Sequence, residues 1–119
     1  MDLRGGVKDL YLNYNDMNLV TTRGDTIQFA VEIDGMEGTD ADAMNFTVKK
    51  NIDDTAFVIR KTLNDGVTKI DDTHYRVRVT PAETETLEIG NYYYDIEMTV
   101  DGDKYTLLKG RLKVDYDIG

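Results

Sequence analysis

Short runs in which apolar and polar residues alternate dominate this sequence. In residues 25–34, Ile27, Phe29, Val31 and Ile33 share one face of such a run. A period of two is typical of a β-strand with one buried face, whereas a helix needs a period near 3.6. The same pattern returns at 44–50, 73–80, 92–101 and 108–116. The chain is therefore predicted to be all-β.

Clusters of Gly, Asn and Asp separate these runs, so that strand and turn alternate roughly every ten residues. That spacing predicts an immunoglobulin-like antiparallel β-sandwich of about seven or more strands. Asp101-Gly102 is the turn of a hairpin between the last two strands. Residues 1–119 are predicted to form one such domain, with 1–6 as a flexible arm.

The segment before the hairpin has the pattern of a sandwich corner. In such domains a tyrosine near the start of a late strand returns its hydroxyl to the backbone of the preceding corner. Tyr92 is placed to do so, Gly90 gives the corner its conformational freedom, and Leu87 fills the core from the connecting turn. Tyr92 is therefore expected to be buried.

One helical turn is predicted near residues 81–87. Thr80 can cap it, Pro81 suits the first helical position, and Glu83 stands where a capping box places a carboxylate.

Two segments are less regular. Residues 56–63 are apolar on both faces at their start, which indicates a strand covered on two sides. An earlier strand is expected where Leu10, Leu12 and Tyr14 alternate.

The composition excludes several kinds of chemistry. The sequence has no serine, no cysteine and one histidine, so serine and cysteine nucleophiles and His-pair metal sites are impossible. His74 is expected to be an exposed strand residue.

The net charge of −9 disfavours binding to nucleic acid. No apolar run approaches ~18 residues and no signal-peptide pattern is visible, so neither membrane contact nor secretion is expected. We expect no enzyme activity and no cofactor.

Paired acids are the one remaining source of chemistry. Four pairs occur, and each lies in a turn or at a strand end: Asp53/Asp54, Asp71/Asp72, Asp101/Asp103 and Asp115/Asp117. Two carboxylates can perform glycosidase-type catalysis and several can hold calcium. We favour turn formation, which needs no further residues. The tripeptide Arg23-Gly24-Asp25 is interpreted in the same way, as a turn.

One outward surface has the residues of an interaction site. Tyr93 is expected to be exposed if its neighbours face the core, and an exposed tyrosine can anchor a partner. The last strand turns Lys109, Arg111 and Lys113 outward. These four residues form the candidate interaction surface, which would suit an acidic partner.

The order of the motifs resembles a family of small phage and prophage structural proteins. The resemblance is to the N-terminal domain of phage baseplate upper proteins. It covers residues 23–114 and is carried by RGDTIQFAVEIDG, MNFTVKK, IRKTLNDGV, YRVRVTPAETETLEIGNYYYDIEM and DGDKYTLLKGRLKV. It implies an Ig-like β-sandwich that serves as a structural or adaptor part of a virion.

The resemblance sets the functional expectation. Baseplate proteins carry further domains after this one, and here the chain ends at Gly119, so we expect a free-standing accessory protein of the tail or baseplate. It would be found in the virion, or in the host cytoplasm during assembly. It would act by self-association or by binding other phage proteins. The alternative is a carbohydrate- or cell-surface-binding module, in which Tyr93 and nearby acids contact a glycan.

Overall fold

Nine strands and one helical turn make up the part of the chain that can be described. The computed structural model of the protein describes residues 5–6, 18–33, 36 and 38–116. In chain order the elements are β1 (Gly5–Gly6), β2 (Leu19–Thr22), β3 (Ile27–Ile33), β4 (Ala43–Lys49), β5 (Ile59–Leu63), β6 (Gly66–Asp71), β7 (His74–Val79), α1 (Pro81–Thr84), β8 (Gly90–Val100) and β9 (Asp103–Asp115).

The strands pair in the order β1-β3-β7-β6-β5-β4-β8-β9-β2. Only two residue pairs, in parallel orientation, join β5 to β6. This weak pairing divides the strand order into two groups that face each other. One group contains β1, β3, β7 and β6, and the other contains β5, β4, β8, β9 and β2. These correspond to the two sheets of an immunoglobulin domain in which two extra strands join the three-stranded sheet. The fold is therefore the predicted all-β, immunoglobulin-like sandwich.

The core lies between the two faces and follows the period-two pattern. Ile27, Phe29, Val31 and Ile33 of β3 are all buried, as predicted. Phe29 packs edge-on against Phe46 of β4 with 5.7 Å between ring centroids, although β3 and β4 are not paired strands. Aromatic pairs of this geometry stabilise a core beyond their buried area. This contact holds the two sheets together.

The helical turn forms where the sequence predicts it. Thr80 accepts a hydrogen bond from the Glu83 amide, and the Glu83 carboxylate accepts one from the Thr80 amide at 3.0 Å. The helix itself ends at Thr84, so it is shorter than the predicted 81–87. It forms the connection between β7 and β8 and positions the start of β8.

Three expectations about elements are wrong. Residues 50–58 form a loop, and Phe57 and Val58 are exposed on it, so the strand begins only at Ile59. The last alternating run was predicted to extend to residue 116, but β9 ends at Asp115, and Tyr116 beyond it is 73% exposed. Gly5 and Gly6, assigned to a flexible arm, pair with Ile33 and Glu32.

The remaining expectations about this end of the chain fall on undescribed positions. The alternating residues Leu10, Leu12 and Tyr14 lie outside the described residues, as does the rest of the arm. Within the described ranges, no helix is long and apolar enough to cross a membrane.

Candidate functional site

The predicted corner is present at the start of β8. Tyr92 is 3% exposed, and its hydroxyl donates a 2.8 Å hydrogen bond to the carbonyl oxygen of Glu88. Burial raises the pKa of this hydroxyl, although the bond to Glu88 acts the other way, so it stays a donor. Leu87 is buried beneath the corner. These contacts fix the direction in which β8 leaves the helix.

Gly90 is required by the geometry of this corner. Its φ of 143° lies in a region that side chains disfavour. A Cβ there would also lie 3.2 Å from the Lys50 amine. That amine is 4.5 Å from the centroid of the Tyr92 ring, which it covers from outside. The corner residues therefore have a structural role, and they set the face on which Tyr93 stands.

A groove of about 490 Å³ opens on the outer face of the second sheet. We call it the cationic groove, and the residues that define it are Lys49, Ile52, Tyr93, Asp95, Lys109 and Arg111. Three of the four residues of the predicted surface, Tyr93, Lys109 and Arg111, line it together. Lys113 does not: it lies one step further along β9, 3.6 Å from the Asp115 carboxylate.

The strand register brings these side chains together in two rows. In one row Tyr93 stands between Lys49 on β4 and Arg111 on β9. In the next row Asp95 stands between Thr47 and Lys109. Paired strands lie ~4.8 Å apart, so the Cβ atoms of neighbours in a row are separated by ~4.5–5.5 Å.

Tyr93 is on the predicted outer face, but the expectation that it is exposed is wrong. It is half-buried, because a residue at the centre of a sheet is flanked by long side chains on both sides. Here those neighbours are Lys49 and Arg111. A tyrosine held in this way offers one ring face to a ligand and loses little side-chain freedom when it binds.

The cations of the groove are unpaired within the described part of the chain. Lys49, Lys109 and Arg111 make no hydrogen bond or ion pair there, whereas Lys61 binds Glu83 at 2.7 Å. The chain has 23 acidic residues against 14 basic ones. These three basic side chains thus lie on one face without an ion pair among the described residues, although Lys49 acts electrostatically on Asp95.

Asp95 is the one carboxylate among the described residues that line the groove. Its Oδ1 atom is buried without a hydrogen-bond partner. Burial, together with the nearby charge of Glu97, raises the pKa of this carboxyl, and Lys49 and Arg60 oppose the shift. Asp95 thus carries a charge that the fold does not stabilise well.

An exposed apolar loop adjoins the groove. Ile52, which lines it, is 69% exposed, and Phe57 lies on the same loop. The Phe57 ring lies 4.3 Å from the Arg60 guanidinium, whose Nε donates to the hydroxyl of Thr47 in the groove. Exposed apolar side chains next to aromatic and arginine residues are typical of protein interfaces.

The other residues considered for chemistry have structural partners. Asp71 accepts hydrogen bonds from the Thr73 amide and from His74, and these contacts lower the pKa of its carboxyl. Asp72 accepts from the Gly38 amide at 2.9 Å and also binds Lys69. Asp117 lies outside the described residues. Within the described ranges no group of His, Asp and Glu side chains is arranged to hold a metal ion.

His74 is half-buried, not exposed as expected. Its two ring nitrogens lie 2.7 Å from an Asp71 oxygen and 2.9 Å from a Glu32 oxygen. The hydrogen bond to Asp71 raises the pKa of the imidazole, with burial opposing it and Glu32 adding to it.

In the Arg-Gly-Asp turn, Arg23 donates to the Glu85 carbonyl at 3.0 Å, so this tripeptide is part of the fold.

Sequence reasoning missed Lys49, Ile52 and Asp95 as members of the groove. Asp95 and Lys49 fall on the polar faces of their alternating runs, but nothing local shows that these two runs are neighbours. β4 pairs with β8 although more than forty residues separate Lys49 from Tyr93 in the chain. The exposed apolar loop misled the prediction, because the apolar residues at its end have the pattern of a buried strand.

Comparison with known proteins supports the fold alone. The structure of CopC from Methylosinus trichosporium OB3b matches with a TM-score of 0.54 and 12% identity, covering 97% of this chain and 97% of that one. The structure of murine CRIg matches with a TM-score of 0.48 and 9% identity, over 98% of this chain and 97% of that one. No protein-family model matches the sequence, and no curated protein matches it significantly.

Proposed function

We propose that this protein is a non-enzymatic binding module that docks onto an acidic partner protein through the cationic groove. The observation that carries the proposal is the set of three cations around Tyr93 that form no ion pair with any described residue, on a chain of net charge −9. Such a groove attracts an anionic surface at short range, although the net charge of −9 repels an acidic partner at long range. Tyr93, Arg111 and Ile52 supply the aromatic, arginine and apolar contacts that carry most binding energy in interfaces.

A matched pair of variants tests this proposal. Lys109→Glu/Arg111→Glu reverses two outward charges of the groove. Arg76→Glu/Arg78→Glu makes the same charge change at the same spacing on β7, in the other sheet. Arrays of acidic peptides and of acidic glycans would be probed with the labelled wild type and both variants. We expect the wild type and the β7 variant to bind the same peptides and the groove variant to lose them. Equal binding by both variants would contradict a role for the groove.

A carbohydrate-binding module is the second candidate. The observation that favours it is the groove itself, whose volume of about 490 Å³ falls in the range of small-ligand sites. Tyr93 would stack on a sugar ring and Lys49 and Arg111 would bind its carboxylate. Binding by the wild type on the glycan array alone, lost in the groove variant, would favour this candidate.

The phage setting remains a proposal that depends on the resemblance in residues 23–114, and neither structural neighbour adds to it. In that setting the acidic partner is a tail or baseplate protein or a second copy of the chain, and the location is the virion or the host cytoplasm during assembly. Mass spectrometry of purified particles after prophage induction tests it. Absence of the protein from those particles would remove the virion from the proposal and leave the groove unaffected.

A further inference from the structure

The occupant of the groove can be specified further if the proposed function holds. We propose that the cationic groove binds an extended segment of a partner protein in which acidic residues alternate with non-acidic ones, lying along β9. The observations that carry this inference are the spacing of the cations, the position of Asp95 and the apolar loop at the rim.

The spacing of the cations on β9 matches an extended chain. Lys109 and Arg111 are two residues apart in a strand and point to the same side. Residues so placed are separated by ~6.6–6.8 Å along the strand axis. Acidic residues at positions i and i+2 of an extended partner have the same separation and also point to one side. Each carboxylate therefore meets one cation, and the residue between them points away.

Asp95 disfavours a sideways shift of an acidic segment from β9 toward β8. It is the cross-strand neighbour of Lys109, so a carboxylate that drifts from β9 toward β8 meets a negative charge. Glu97, the next outward residue of β8, extends this negative strip. A repulsive element of this kind gives specificity because it penalises the wrong register. The partner segment is thereby confined to the line of Lys109 and Arg111.

The rim of the groove favours a protein segment over a sugar. Ile52 and Phe57 are exposed beside the cations, and Phe57 is stacked on Arg60 within the same surface. Apolar side chains that flank the acidic positions of a partner can bury this area, whereas a sugar has no comparable group. Tyr93, between Lys49 and Arg111, offers a flat surface for the methylene groups of a glutamate.

The charge distribution disfavours a symmetric dimer through this face. In a two-fold contact the same patch meets itself, so Lys109 and Arg111 would approach the same cations of the second copy. Like charges placed opposite each other across an interface are repulsive. We therefore assign the occupant to an acidic segment of another protein, and a head-to-tail contact with a second copy is one outcome of the test below.

Two synthetic peptides of identical composition test the inference. One alternates glutamate and threonine, and the other repeats the unit Glu-Glu-Thr-Thr, in which no two glutamates are two residues apart. Calorimetric titration of the full chain at low salt is expected to show about threefold tighter binding of the alternating peptide, the effect of placing one further carboxylate on an exposed cation. Lys109→Gln/Arg111→Gln should lose this preference, and Arg76→Gln/Arg78→Gln should retain it. Denaturation midpoints of both variants show that they are folded.

The possible outcomes separate the inference from the proposed function. Equal binding of the two peptides, lost in the groove variant, would overturn the alternation and leave the protein-binding function standing. Binding of an acidic oligosaccharide but of neither peptide would overturn both. Concentration-dependent self-association that the groove variant abolishes would assign the groove to a second copy and overturn the inference.

Discussion

The hydroxyl of Tyr92 donates a 2.8 Å hydrogen bond to the carbonyl oxygen of Glu88, four residues earlier in the chain. This contact connects the helical turn to the start of β8. Because side chains alternate along a strand, burial of Tyr92 also decides that Tyr93 faces outward, into the groove. The corner thus sets the register of the binding face.

Replacement of Tyr92 by phenylalanine is expected to destabilise the fold. The ring still fills its place, but the Glu88 carbonyl loses its donor, so Tyr92→Phe should lower the free energy of unfolding by about 1–2 kcal/mol. Tyr93→Phe is the matched control and should change it little, since surface substitutions usually stay within about 0.5 kcal/mol. Urea denaturation measures both. A larger loss for Tyr93→Phe would mean that the faces of β8 are exchanged.

The capping box gives a second stability prediction. Thr80→Ala removes the oxygen that accepts from the Glu83 amide, and loss of an N-cap of this kind costs about 1 kcal/mol. Thr80→Ser keeps the hydroxyl and should retain most of the stability. An equal loss in both variants would show that the methyl group, and not the hydrogen bond, matters at this position.

The fold was predictable from the sequence because each strand of the core has one buried face. The alternation of Ile27, Phe29, Val31 and Ile33 records that burial directly. Phe57 and Val58 misled the prediction because apolarity identifies residues that are suited to burial but does not show what covers them. The interface proposed here would account for their apolar character.

The site was only partly predictable, for a related reason. Tyr93, Lys109 and Arg111 were identified because alternation within one strand fixes which side chains face outward. Lys49 joins them only through the pairing of β4 with β8, and that pairing is a long-range property. A bulge also interrupts β9. Leu107 and Leu108 are both buried, opposite the register shift at Ile96 and Glu97. Two consecutive buried residues break a period-two pattern, so alternation alone does not predict the bulge.

The contacts of His74 predict a pH dependence of stability. The hydrogen bond to Asp71 raises the pKa of the folded imidazole above its ordinary value of ~6.5, so the folded state binds this proton more tightly. Its contribution is fully present below that ordinary value and is lost as the pH rises through the raised value. The pKa of Asp71 is lowered by the same bond, so its contribution is lost only at acidic pH, near and below its ordinary value of ~3.9.

Denaturation across pH 5 to 9 measures this effect. The difference in unfolding free energy between wild type and His74→Gln should be largest at the acidic end and decrease toward the alkaline end. A difference that is constant with pH would show that the protonated imidazole is not what Asp71 and Glu32 stabilise.

Asp95 provides the last prediction, because a buried carboxylate oxygen without a donor should weaken the fold. The pKa of Asp95 is raised by burial and by Glu97, so the charged form is less favourable in the folded than in the unfolded chain. This cost is fully present above the raised pKa and disappears below the ordinary value of ~3.9. Asp95→Asn removes the charge but keeps the shape, so it should raise the free energy of unfolding at pH 7 and have less effect as the pH is lowered toward 4.

Asp103→Asn removes one charge at an exposed position of β9 and controls for net charge. If Asp95→Asn lowers stability at pH 7 while Asp103→Asn does not, then Asp95 is held by its cationic neighbours Lys49 and Arg60, and the groove is less free to bind an acidic partner than its unpaired cations indicate.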